Sequence, residues 1–174
     1  MRSKFSIFGH PLHPTMVALP VGLFGWTFVA DIVYLSTGKD HMWYDIAFWT
    51  GLVAAVMAFM AALPGFGDYF TMAIKSDARD MATAHMLLNL TVVALYVIAF
   101  LMMLDDNAVD GAALTIVVIL HAVGLGLLGL SGWLGGEMVY KHHLAMVADT
   151  AEGEEAELQR HEMRPTFRER HLPR

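Results

Sequence analysis

Four runs of apolar residues, Thr15 to Ser36, Trp43 to Leu63, Ala82 to Leu104 and Ala112 to Tyr140, limit what this chain can fold into. Each approaches or exceeds the roughly 20 residues that an α-helix needs to cross about 30 Å of hydrocarbon. A backbone in lipid must satisfy its own N–H and C=O groups, so spans of this kind are helices. The expected fold is all-α, an integral membrane four-helix bundle over residues 1–145, followed by a charged tail over 146–174. Composition agrees, since 56% of residues are hydrophobic and 16% are charged, against about 45–50% and about 25% in soluble domains.

Four spans return both termini to one face. Arg2, Lys4, Lys75, Arg79 and Lys141 flank the spans on that face, against Lys39 alone on the other, where Asp40, Asp105, Asp106 and Asp110 lie. The excess of Lys and Arg makes the first face, and both termini, cytoplasmic. Trp43 and Tyr44 suit an aromatic anchor at the outer interface and Tyr140 one at the inner. No removable signal peptide is read at the amino terminus. A net charge of −6 does not suit a nucleic-acid partner. With no cysteine, disulfides, thiolate metal sites and cysteine-ligated iron–sulfur clusters are excluded.

Local punctuation adds expectations. Pro20 should bend the first helix. Pro64-Gly65-Phe66-Gly67-Asp68 reads as the stop of the second, and Tyr69 to Asp80 as a short segment on the inner surface. The loop from Asp105 to Gly111 is short enough to make the third and fourth helices antiparallel neighbours. In the fourth span Gly126, Gly129, Gly132 and Gly135 recur every third residue, with Gly124, Ser131 and Gly136 beside them. Such a bare side suits close packing of helices, including a second copy of the chain, or a flat macrocycle lying against it. The tail from Asp149 is solvated apart from a short helix through Thr150 to Gln159, and His161 and His171 lie within it.

Polar residues fall into two layers. At the inner face stand His10 and His13 of Gly9-His10-Pro11-Leu12-His13-Pro14, then Asp68, His85, Glu137 and His142, contributed by every helix. Ionisable groups at the apolar boundary usually face the bundle interior and mark a functional site. Each also has a plainer use. His10 and His13 suit a cap or the headgroup layer, Asp68 can end its helix, and Glu137 can pair with Lys141 four residues on. His85 is harder to dismiss, because Asn89 lies one turn away on the same face. His142 and its neighbour His143 cannot both point inward. His121 lies about 31 Å along its helix from His142. It belongs to the outer half, at a depth near that of Asp31, with which it can pair; a second haem there would have only His41 to add.

The Gly9 to Pro14 motif, the Pro20-Val21-Gly22 that follows it, and Ser131-Gly132-Trp133-Leu134-Gly135-Gly136-Glu137-Met138-Val139-Tyr140-Lys141-His142 carry a resemblance. Over roughly residues 5 to 145 the chain resembles a bacterial four-helix integral membrane family, a domain of unknown function, in which some relatives carry a Rieske-type domain after the bundle. The Asp68 turn and the His85–Asn89 pair are similar to that family too. The resemblance implies the bacterial inner membrane and favours His142 over His143. This chain has only its short tail in place of a Rieske domain, so a redox partner is expected to be a separate protein or a quinone. His121 is not part of the resemblance.

Histidines on facing helices of a four-helix bundle suit b-type haem, whose iron takes two axial imidazoles. The expected axial pair is His13 and His85, with His10 and His142 as alternative ligands or propionate partners, and the role is electron transfer. A non-haem zinc, iron or manganese site would instead draw on Asp68 or Glu137 beside His10, His13, His85 and His142. A cofactor-free permease or assembly subunit is the third reading.

Overall fold

The computed structural model describes residues 3–72, 74, 76–105, 110–142 and 144. A two-stranded hairpin, β1 (Ser6–Ile7) and β2 (His10–Pro11), leads into α1 (Leu12–Ser36), α2 (His41–Thr71), α3 (Ser76–Met103) and α4 (Gly111–Tyr140). All four helices are long and apolar enough to cross a membrane. Large apolar side chains such as Trp26, Trp49, Phe59, Leu130 and Trp133 are exposed on their outer faces, where lipid replaces water as the surrounding medium. The chain is thus an all-α membrane four-helix bundle.

Lipid tails are as apolar as leucine, so helices in a membrane associate through close packing and internal hydrogen bonds, which favours small residues at their contacts. The buried face of α2 follows that rule with Ala47, Gly51, Ala54, Ala55 and Ala61. Helix α1 packs densely on α2, and α3 on α4, while the two hairpins meet more sparsely along α1–α4 and α2–α3. Helices α1 and α3 therefore stand diagonally. Both begin at the end of the bundle where α2 and α4 finish, here termed proximal. At the distal end Gly38 and Lys39 adopt positive φ in the α1–α2 turn. Asp40 caps α2 by accepting from Met42 N at 3.1 Å, and Asp110 caps α4 by accepting from Gly111 N at 2.7 Å.

The two hairpins repeat each other position for position. Residues 72 apart in α1 and α3, counted from His13 to His85, hold matching places, as do residues 70 apart in α2 and α4, counted from Ala61 to Ser131. Pro20, Phe24, Thr27 and Asp31 are buried in α1, and their mates Val92, Tyr96, Ala99 and Met103 are buried in α3. In α2, Tyr44, Ala47, Gly51, Ala54 and Ala61 match buried Leu114, Val117, His121, Gly124 and Ser131 in α4. Since both hairpins start at the same end, their relation is that of parallel repeats about an axis along the bundle.

Two expected boundaries are corrected. Helix α2 runs through Pro64-Gly65 to Thr71, and Pro64 is buried inside it. Proline cannot donate to the carbonyl four residues back, that of Met60, yet tertiary contacts hold the next turns. One residue along, the carbonyl of Ala61 accepts from His13, and Asp68 binds the amino-terminal segment. Helix α3 starts at Ser76, so no separate segment over Tyr69 to Asp80 remains between the helices. Tyr69 on α2 hydrogen-bonds Thr83 on α3 at 2.8 Å, and Arg79 lies 5.2 Å from the Tyr69 ring centre. These contacts draw the polar stretch into the two helices. Arg2, Lys75, Asp106, His143 and the tail with His161 and His171 lie outside the described residues.

Candidate functional site

At the proximal end each hairpin holds one imidazole in the same way. His13, in the first turn of α1, lies 2.8 Å by Nδ1 from the Ala61 carbonyl oxygen, and His85 on α3 lies 2.8 Å by Nδ1 from that of Ser131. A carbonyl only accepts, so each Nδ1 carries the proton and each Nε2 keeps its lone pair. One turn beyond each carbonyl is a glycine. A Cβ added at Gly65 would stand 2.8 Å from His13 Nδ1, and one at Gly135 would stand 3.3 Å from His85 Cε1. The His13 ring leaves no room for a methyl at Gly65, whereas a methyl at Gly135 would need His85 to give by a few tenths of an ångström.

Across the seam the two ring centres are 6.2 Å apart, with the ring planes perpendicular. They line a cavity of about 540 Å³ between the hairpins. Its walls are mostly apolar, with Phe24, Val92 and Leu128 among them, and with Gly132, Gly135 and Gly136 supplied by α4. The two halves differ in polarity. Around His85, Asn89 Nδ2 donates to Ser131 Oγ at 2.6 Å and to the His85 carbonyl at 2.8 Å, and lies 3.1 Å from His85 Nε2. The mates of Asn89 and Ser131 beside His13 are Val17 and Ala61, so His13 sits in an apolar collar.

The other expected site residues are placed elsewhere or engaged otherwise. Asp68 borders the cavity, but it accepts from Ser3 Oγ at 2.5 Å, Lys4 N at 3.0 Å and Phe5 N at 3.5 Å, while the Phe5 ring lies over Gly67. It anchors the amino-terminal segment. Glu137 accepts from Lys141 Nζ at 2.5 Å, the four-residue surface pair that its spacing suggests. His10 is exposed on β2, with Nδ1 3.1 Å from the Phe8 carbonyl, and neither it nor His142 lines the cavity. Among the described residues no group of three or more His, Asp or Glu side chains is disposed to share a metal ion. The glycine side of α4 divides as well. Gly124 packs under Tyr96 and Gly135 beside His85, whereas Gly126 and Gly129 meet nothing within this chain.

In the distal half His121 Nδ1 lies 2.7 Å from Asp31 Oδ2, with both side chains buried. Tyr96, which the polar inventory of the sequence passes over, stacks on His121 at 4.6 Å between ring centres. Ser131 was legible only as a small residue among glycines, although a hydroxyl in an apolar run was itself a signal.

The fold and the paired polar layers define a membrane-embedded four-helix protein with a histidine-lined cavity. A family model described as predicted membrane protein, DUF2231, matches residues 9–148, and the chain belongs to that family. Comparison with curated proteins and with solved structures gave no match.

Proposed function

We propose that this is a membrane electron-transfer protein that holds b-type haem between His13 and His85. The observation that carries the reading is the opposed imidazole pair on diagonal helices, with each Nδ1–H already directed to a backbone carbonyl. The two imidazoles stand 6.2 Å apart between ring centres and both line the cavity, so both would be within reach of one bound iron. Donation of the remote ring nitrogen to a carbonyl is the usual device that fixes the tautomer and orientation of a ligating histidine. The cavity supplies apolar walls and the glycine floor of α4 for a flat ring.

A bound haem supplies a one-electron iron centre whose potential follows its axial ligands, their hydrogen bonds and burial. The residues of the chain do the rest. Gly65 and Gly135 let the imidazoles lie flush, and the Ala61 and Ser131 carbonyls keep them from turning. With His85 ligating through Nε2, Asn89 gives up that contact and keeps its bonds to Ser131 Oγ and the His85 carbonyl. The polar collar around His85 and the apolar one around His13 make the two ligands electronically unequal. The excess of Lys and Arg beside the proximal end supports a cytoplasmic position for that end, and the family resemblance supports a bacterial inner membrane. The donor or acceptor is a quinone or a separate redox protein.

A non-haem metal centre is the less favoured reading, because Asp68 and Glu137 already serve other partners. Oxidised and dithionite-reduced visible spectra of the detergent-purified protein, expressed with ample haem, together with metal analysis, test both. A Soret band is expected; its absence overturns the haem reading, and stoichiometric zinc, iron or manganese in its place supports the other.

A further inference from the structure

Asp31 and His121 are not used by the histidine pair at the proximal end. They are 3% and 2% exposed, stand on helices of different hairpins, and meet at 2.7 Å in the distal half of the bundle. From this cluster we infer that Asp31 and His121, positioned by Tyr96, form a proton-binding site buried in the membrane and served from the distal face.

The internal repeat argues against a purely architectural role. The mates of Asp31, Tyr96 and His121 in the other hairpin are Met103, Phe24 and Gly51. Equivalent places in the fold are therefore filled without a single ionisable group. The packing does not require this trio, which is built at only one of the two equivalent places between the hairpins. Polar ionisable groups at membrane depth are costly, face the interior and mark ion or proton sites by default.

The charge balance is simple. A carboxylate beside a neutral imidazole carries one negative charge. In that state His121 Nδ1–H donates to the Asp31 carboxylate; one further proton from water, taken at His121 Nε2, makes the pair neutral as imidazolium and carboxylate, and its departure restores the charge. Tyr96 is a positioning residue. Its ring stacks on His121 at 22°, and its single hydroxyl proton is offered to the Phe24 carbonyl at 3.0 Å, with the His121 carbonyl at 3.3 Å as the alternative acceptor, leaving the imidazole edge to Asp31. The hydroxyls of Thr27 on α1 and Thr50 on α2 pair with each other at 2.9 Å nearby. Toward the distal rim stand Tyr34 on α1, Tyr44 on α2, and the exposed Lys39–Asp110 pair. Tyr34 follows Asp31 by one turn of α1 toward the distal rim, so polar side chains stand on the distal side of the buried pair. Toward the proximal side Tyr96 meets Phe24, Val92 and Leu128, apolar residues that line the cavity, and His85 lies roughly 16 Å from Tyr96 along α3.

The test is nitrogen-15 histidine NMR of the full chain in lipid nanodiscs, prepared without haem so that the result is independent of the proximal site. The His121 signal is assigned by its loss in His121→Gln and followed from acid to alkaline pH. We expect the His121 nitrogens to report one gain and loss of a proton while circular dichroism stays constant. In Asp31→Asn the imidazole loses its anionic partner, and the protonation step seen in the wild type is lost or displaced; Asp31→Glu restores it. A wild-type His121 that keeps one protonation state over the whole range in which the helices stay folded is a structural tie and overturns the proposal. That outcome is read on the wild-type chain, so misfolding of a variant cannot disguise it.

Discussion

Gly65 and Gly135 occupy the same place in the two hairpins, and each lies beside an imidazole that the opposite helix presents to it. The clearances differ. A methyl at Gly65 would meet the rigid His13 ring at 2.8 Å, whereas one at Gly135 would meet His85 at 3.3 Å. Gly65→Ala should therefore displace His13 and cost about 1–3 kcal/mol of stability, the range for overfilled packing, with haem lost in proportion. Gly135→Ala should shift His85 by a few tenths of an ångström and retain most of the haem. Haem-to-protein ratios and detergent unfolding midpoints measured side by side check the order.

Asn89 ties His85 to Ser131, and the repeat offers its own replacement, the valine at position 17. Asn89→Val should cost about 0.6–1.7 kcal/mol, the measured span for hydrogen bonds between membrane helices. It should also change the reduction potential more than Val17→Ala does, because Asn89 holds the Ser131 hydroxyl, which lies 2.9 Å from His85 Nδ1. Unfolding in mixed micelles and a redox titration supply the two readouts.

Asp68 is assigned to anchoring and not to ligation. Removing it strips acceptors from Ser3 Oγ and the amides of Lys4 and Phe5, at about 1.5–3 kcal/mol for bonds to a charged group. Asp68→Ala should speed amide exchange at Lys4 and Phe5 and expose the Ser6–Pro11 hairpin to protease. The visible spectrum should persist. Loss of the spectrum with those amides still protected would reinstate Asp68 as a ligand.

The residues that were legible and those that were not divide on physical grounds. Spans declare themselves by hydropathy, and His13, His85 and Asn89 by their depth, because charge in lipid is costly wherever it sits. Pro64-Gly65 misled because a local stop signal was outweighed by contacts from His13 and the Ser3 to Phe5 segment, which lie about 50 and 60 residues away in the chain. The carbonyls of Ala61 and Ser131 leave no mark in a sequence, since every residue has one. Asp68 announced a partner but not which, and that partner proved to be backbone N–H. The likeness of the two hairpins shows itself through burial at matching positions, where residue pairs such as Phe24 and Tyr96 or Gly51 and His121 differ in chemistry.

At the distal rim the carboxyl of Asp110 is held below the usual range, first by the hydrogen bond from Lys39 and then by that from Gly111 N. A group with a lowered folded pKa stabilises above its ordinary pKa and loses that contribution as pH falls through the folded value. Acidification into and below the ordinary carboxylate range should therefore loosen the start of α4 and raise exchange at Gly111. Asp110→Ala, which removes the accepting oxygen, should show that exchange at every pH. Lys39→Ala should move the transition toward higher pH, and the effect should shrink with salt because the pair is exposed.

The account rests most heavily on His13 and His85 as opposed ligands, and electron paramagnetic resonance of the oxidised protein tests that directly. The wild type should give one low-spin, six-coordinate iron signal, and His13→Gly and His85→Gly should each convert it to high spin, with added imidazole restoring low spin. A low-spin signal unchanged in both variants would contradict the central claim.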